Sequence, residues 1–258
     1  MHIVDLFIWF VVYSFIGWAW ETALFTVQEK RFVNRGFLNG PLCPIYGVGG
    51  LLLIWALEGR TESLPILFLI ALVLTTTLEY LTAILLEKLF NAKWWDYSMF
   101  PLNFQGRISL ISSIVFGIMS VLLITVIHPF IQGLTGKMPV RAKQVFLLIF
   151  VVYLLADITV TIRHVLLLNG RLSEIQTAIN GFFGKYARRA GDLKNAILVN
   201  FEESEFYSER IRSLFSLDRF QNRRIFRAFP KLRSIKYDDA LKKLRSRLLR
   251  SRDSGEDE

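Results

Sequence analysis

The chain has 258 residues, 53% of them hydrophobic and 21% charged, and carries a net charge of +9. The apolar residues crowd into positions 1 to about 168, whereas 169–258 hold 20 of the 31 Lys/Arg and 13 of the 22 Asp/Glu. An ordinary soluble core and an internal disulfide framework are therefore excluded, the only cysteine being Cys43; the expected organisation is a transmembrane domain over 1–168 and a water-exposed basic helical tail over 169–258.

The start of the chain lacks a basic segment and a small-residue cleavage site. Its first apolar run also exceeds signal-peptide length and contains Glu21, so it is read as a retained span. Five stretches approach the roughly 20 apolar residues that a helix needs to cross a bilayer. They lie at about 5–27, 42–58, 64–87, 107–131 and 143–168. The second is short and interrupted by Gly47, Gly49 and Gly50, which makes it the weakest of the five. Pro65 suits the first turn of the third. The predicted fold is an all-α integral membrane protein of about five transmembrane helices, two similar hairpins plus one, followed by the tail.

The similarity of the hairpins rests on a repeated phrase. Glu21 is followed eight positions later by Glu29-Lys30 and then Phe32; Glu79 is followed eight positions later by Glu87-Lys88 and then Phe90. Two helical turns place each inner acid about 12 Å deeper than its interfacial Glu-Lys pair. A carboxylate at that depth is costly and persists where it meets a partner, a cavity or a substrate path. Each phrase runs into a loop rich in Gly, Pro and Asn, 33–50 and 91–110. Such loops either form ordinary turns, with Trp94, Trp95 and Tyr97 as an interfacial aromatic belt, or line a polar site. The candidate site residues are Glu21, Arg35, Asn39, Tyr46, Glu79, Asp96, Asn103, Arg107, Asp157 and Arg163. Arg35, Arg107 and Arg163 are the candidate counter-charges. The acids either pair with these and fix helix packing, or jointly bind a cation, a proton or an amine-bearing substrate. No Cys/His cluster suggests a metal, no cofactor is expected, and His2, His128 and His164 are read as isolated interfacial residues.

In the tail the spacing of Ile175, Ile179, Phe182, Tyr186, Leu193 and Ile197 predicts an amphipathic or coiled-coil helix. An acidic patch spans Glu202 to Glu209, and disorder is expected over 253–258. Between 219 and 252, 13 Lys/Arg are interleaved with apolar residues, and Pro230 separates two predicted helices. Arg223, Arg224, Arg227, Lys231, Arg233, Lys242, Lys243 and Arg245 are the candidate lipid- or partner-binding residues. Anionic lipid is the favoured target, a partner protein the next. Nucleic acid is disfavoured, because no nucleic-acid module is present.

Loop charges orient the spans. Lys30, Arg31, Arg35, Lys88, Lys93, Arg107 and the tail fall on one face; Arg60, Lys137, Arg141 and Lys143 fall on the other. The more basic face is expected in the cytoplasm, with the N-terminus outside.

The stretches NGPLCPIYGVGG, LEKLFNAKWWDYSMFPLNFQGRISL and RAFPKLRSIKYDDALKKL resemble the bacterial CmpB-like family of ABC-transporter permease-type membrane proteins. The resemblance implies a multi-pass protein of the plasma membrane, mainly of Gram-positive bacteria, and supplies no catalytic or substrate-binding residues. Three functions follow, in order of support. The first is a permease-like transport component that works with a separate ATPase subunit, since the chain has no ATPase motif. The second is a membrane-anchored scaffold or regulator that binds lipid or proteins through its tail. The third is an enzyme acting on a lipid-linked substrate, with Glu21, Asn39, Asp96, Asn103 and Arg107 converging. Without an HExxH, GxSxG or Walker A motif a non-enzyme is favoured. A homodimer is expected, because five helices are few for a conduit.

Overall fold

The structure is a computed structural model and describes residues 2–60, 63–190, 201, 204, 206–216 and 219–250. The chain divides into two compact units, Met1–Leu86 with Trp94–Thr161, and Glu87–Lys93 with Ile162–Glu258.

The first unit is built from α1 (Ile3–Glu29), α2 (Pro44–Leu57), the first part of α3 (Leu64–Phe90), α4 (Leu110–Leu122), α5 (His128–Lys137) and the first part of α6 (Val140–Ala190). A π-helical turn, Leu123–Ile127, joins α4 to α5. Among the described residues four stretches are long and apolar enough to cross a membrane: Ile3–Glu29, Leu64–Phe90, Leu110–Lys137 and Val140–Lys185. Their outward faces carry large apolar side chains such as Leu69, Val73, Phe130, Leu148 and Val152. Water would not tolerate so much exposed hydrocarbon, whereas lipid is its natural solvent. The chain is an all-α membrane protein.

The expected second span differs from its four companions. α2 has 14 residues, about 21 Å of helix, against a hydrocarbon core of about 30 Å. The missing length is supplied by non-helical chain. α1 ends at Lys30, whose φ of 50° turns the chain back. The Val33 amide then donates to Thr26 Oγ1, the Arg35 amide to Thr22 Oγ1 and the Cys43 amide to the Ser14 carbonyl. As the loop advances, its partners on α1 step backwards by twelve residues, about 18 Å of helix. α2 begins only there and continues antiparallel to α1, so that Ile54 packs with Trp9 and Tyr13.

The second hairpin is made in a similar way. After α3 the chain turns at Asn91, again with φ of 50°. The pairs β2 (Asn103–Phe104) and β3 (Ile108–Ser109) form a small antiparallel hairpin. Ser109 and Ser112 cap α4 with reciprocal side-chain bonds. Ser113 accepts a hydrogen bond from Thr76 Oγ1 at 2.8 Å, so α4 begins beside the middle of α3 and not beside its end.

The second unit is the later part of α6 with the end of α3, β1 (Ala92–Lys93), α7 (Glu209–Ser216), α8 (Arg219–Ala228), β4 (Arg233–Ser234) and α9 (Asp238–Arg250). β1 and β4 pair antiparallel. Ile235 donates its amide to the Asn91 carbonyl, and Asn169 donates to that of Phe90. The Gln176 side chain accepts the Ala240 amide in the first turn of α9, capping that helix from outside. Ile175, Ile179 and Phe182 are buried as the helical spacing predicted. The side chain of Tyr186, and Leu193, Ile197, Glu202, Glu203 and Glu205 of the acidic patch, and 253–258 lie outside the described residues.

The α1–α2 contact depends on missing side chains. A Cβ at Gly17 would lie 2.1 Å from the Tyr46 ring, so the helices approach backbone to ring. Gly17→Leu should therefore force the hairpin apart and lower stability by about 1–3 kcal/mol or more, read as a lower midpoint of thermal unfolding in detergent.

Candidate functional site

The first unit contains two polar clusters on its re-entering loops and a third at the opposite end of α1. The first cluster gathers the two repeated acids. Tyr46, the third residue of α2, donates its hydroxyl to Glu21 Oε1 at 2.7 Å. Arg35, from the loop, brings its Nε to 3.4 Å from Glu21 Oε2 and lays its guanidinium 3.9 Å from the centre of the Phe25 ring. Glu79 accepts the Tyr97 hydroxyl at 3.0 Å and that of Ser112, the third residue of α4, at 3.5 Å. Each acid thus takes a bond from the same position of the helix that follows it in its hairpin. Glu79 is within electrostatic reach of Glu21, and Tyr97 of Glu21 and Arg35. Glu79 is 5% exposed and, among the described residues, has hydroxyl partners and no ion pair.

The second cluster is a clasp around Asp157 of α6. Its Oδ1 accepts the Asn39 amide and Asn39 Nδ2, each at 3.0 Å, and its Oδ2 accepts the Gly40 amide at 2.8 Å. Thr161 joins from the next turn, donating to Asp157 and accepting from Asn39. Gly40 has no room for a side chain, since a Cβ would lie 1.5 Å from the Tyr153 hydroxyl oxygen. Asp157 therefore closes three donors of the first loop with one carboxylate.

The remaining candidates separate from the acid pair. Asp96 accepts the Ser98 amide; Asn103 donates to the Ser98 and Phe100 carbonyls and accepts the Gly106 amide. Arg107 bonds Gln105 and lies over the Tyr80 ring, and its carbonyl accepts from Trp95. These three shape the second loop. Arg163 is exposed on α6 and lies in the second unit.

Sequence reasoning missed Tyr97, Ser112 and Thr161. The sequence leaves Tyr97 either in an aromatic belt or in a loop lining a polar site; Trp94 is buried with its ring edge-on to Phe37, and Tyr97 turns in to Glu79. The expectation for His128 is corrected as well. It is 2% exposed, held between the Tyr13 hydroxyl at 2.7 Å and Glu58 Oε1 at 3.2 Å, with Gln132 on the same glutamate oxygen and Trp9 donating to Thr135 nearby. A lone histidine in an apolar run gave no sign of partners that lie 70 and 115 positions away.

In the tail several of the basic candidates are internal fasteners. Arg223 donates to the Leu248 carbonyl; Arg245 donates to the carbonyls of Pro230 and Leu232, and burial pulls its pKa below the usual arginine range. Lys242 pairs with Asp238 at 2.7 Å, and Lys243 covers the Phe201 ring. Arg224 donates to Gln221, and Arg227 is half-buried on α8. Lys231 and Arg233 are exposed. The interleaved apolar residues Ile225, Phe226, Phe229, Leu232, Leu241, Leu244 and Leu248 are buried within the unit, so they are not free to enter a bilayer.

A family model described as "Putative ABC-transporter type IV" matches residues 8–162. The chain belongs to that family, and the matched stretch ends within a residue of the first unit's boundary at Thr161. No curated protein and no solved structure matches the chain.

Asp157→Ala would leave the Asn39 and Gly40 donors without their acceptor, at about 1–3 kcal/mol for each buried group left unsatisfied. It should lower the thermal midpoint in detergent strongly, while Arg163→Ala, an exposed change, should stay within about 0.5 kcal/mol of the parent.

Proposed function

We propose that the protein is a membrane permease-like transport component whose polar site is the Glu21–Arg35–Tyr46–Glu79–Tyr97 cluster. The observation that carries this reading is the pair of acids at the starts of two helices that begin inside the bundle. Interrupted helices whose ends meet a polar site within the membrane are a recurring construction of transporters, where backbone freed from a helix faces a cavity or protein. Membership of an ABC-transporter family supports the same reading. With no ATP-binding motif in the chain, ATP-driven transport uses a separate ATPase subunit. The Lys/Arg asymmetry of the loops favours a bacterial plasma membrane with the tail and both re-entering loops on the cytoplasmic side, where such a subunit would dock, and a homodimer would supply the helices a conduit needs.

The scaffold reading draws on one observation, the exposed Lys231, Arg233 and Lys236 of the second unit, which the tail builds together with the end of α3 and β1. Its attraction to anionic lipid would be electrostatic and screened by salt. Replacing those three residues with glutamine should weaken sedimentation of the purified full chain, held in amphipol, with phosphatidylglycerol vesicles at low salt. Arg223→Gln and Arg245→Gln should instead lower thermal stability.

Purification of the full chain from its host in mild detergent, with co-purifying proteins identified by mass spectrometry, tests the permease reading. A stoichiometric ATPase is expected. Recovery with soluble regulatory proteins and no ATPase would transfer the assignment to the scaffold. Glu79→Gln should abolish transport with folding retained. Glu21→Gln should abolish it and also lower the thermal midpoint, because it removes the carboxylate facing a half-buried guanidinium.

A further inference from the structure

The internal repeat supplies a comparison that the site alone does not. In the first copy the residue fourteen positions after the inner acid is basic: Glu21 is followed by Arg35, and Arg35 is its ion-pair partner. In the second copy the residue fourteen positions after Glu79 is again basic, Lys93. That lysine is not spent on its acid. It stands in β1, paired across the strand with Arg233 of β4, and belongs to the second unit.

The consequence is a difference in charge between two otherwise similar acids. Glu21 has a hydroxyl and a guanidinium. Glu79 has two hydroxyls, from Tyr97 and Ser112, and among the described residues no ion pair. Hydroxyl donors orient a carboxylate but do not neutralise it, and a carboxylate removed from water without a counter-charge is strongly disfavoured. The surroundings of Glu79 are rich in hard oxygen atoms. Ser109 bonds Ser112 at the start of α4, Thr76 of α3 bonds Ser113, and Ser113 donates to the Ser109 carbonyl. Oxygen donors of this kind suit a small hard cation. The charged and titratable groups in electrostatic reach of the cluster are Glu21, Arg35, Cys43, Tyr46 and Tyr97.

We propose that Glu79, with Tyr97 and Ser112, is an exchangeable binding site for a single positive charge, a proton or an alkali-metal ion, while Glu21 is permanently occupied by Arg35. This deepens the transport reading by making the site's ligand a coupling cation, and it rests on that reading for its role though not for its existence. One copy of the repeat carries its cation covalently, as an arginine side chain. The other receives it from solution.

Thermal unfolding of the full chain in detergent provides the test, because a ligand that binds the folded state raises the midpoint by mass action. One arm exchanges N-methylglucamine chloride for NaCl or KCl at constant ionic strength. The other lowers pH at fixed salt. The parent should show a saturating rise in one arm, and the arm that responds identifies the cation. Glu79→Gln should abolish that response, and Tyr97→Phe and Ser112→Ala should raise the half-saturating concentration at least threefold. Glu174→Gln, which removes an exposed carboxylate that pairs with Arg210 in the second unit, should match the parent's response. A parent flat in both arms, or a response unchanged in Glu79→Gln, overturns the site. If Glu79→Gln does not fold, unchanged half-saturation in both Tyr97→Phe and Ser112→Ala overturns it equally. A stoichiometric ATPase with no cation response would sink the cation site and leave the permease reading standing; a cation response without an ATPase would do the reverse.

Discussion

The structure of the first unit depends on satisfying backbone that is not helical inside an apolar bundle. Peptide N–H groups at that depth have no water to bond, and each one left open costs free energy comparable to a lost hydrogen bond. The first loop solves this with hydroxyls and one carboxylate. Thr26 and Thr22 of α1 accept its early amides, and Asp157 of α6 accepts those of Asn39 and Gly40. Because α1 and α6 each hold part of the loop, the loop also fixes where α2 starts, and hence where Tyr46 meets Glu21. The acid site is downstream of the clasp, although no residue of the clasp belongs to it.

The same constraint explains why two hairpins of similar design can differ in chemistry. Both first helices end in a left-handed residue, Lys30 or Asn91, and both second helices begin beside the middle of the first. What differs is how each loop is fastened. The first loop is tied to α6 and keeps its basic residue beside the acid. The second is organised internally by Asp96, Asn103 and Gly106, while its opening residues Ala92 and Lys93 are drawn into a strand with β4.

Much of the architecture was legible because solvent dictates it. Long apolar runs can only be spans, and Glu21 and Glu79 stood out because acids are rare in them. The short second span was also legible as the weak member, though its remedy was not, since an extended loop running beside its own helix leaves no periodicity. The partners of the acids were read less well. Arg35 was among three candidate arginines and is the one that pairs with Glu21, but Ser112 sits in an apolar run and Tyr97 in an aromatic string, where composition favours plainer roles. His128 shows the limit most clearly: its burial is a property of Tyr13 and Glu58, and nothing near it in sequence encodes them.

The tail shows how an amphipathic pattern can name a surface without naming its partner. Basic residues interleaved with Leu, Ile and Phe suit a membrane-surface helix, and they suit equally a small helical unit that buries its apolar face in itself. Burial decides between these. Leu244, Ala240 and Ala228 are 0% exposed, so that face is already occupied, and Arg223 and Arg245 close helix ends and turns. What remains outside among the described residues is mostly charge, with Ile235 exposed beside Arg233 and Lys236. The exposed Lys231, Arg233 and Lys236 favour an electrostatic contribution to whatever the tail meets, and the fold that buries Leu244, Ala240 and Ala228 also holds Lys93 in the β1–β4 pair.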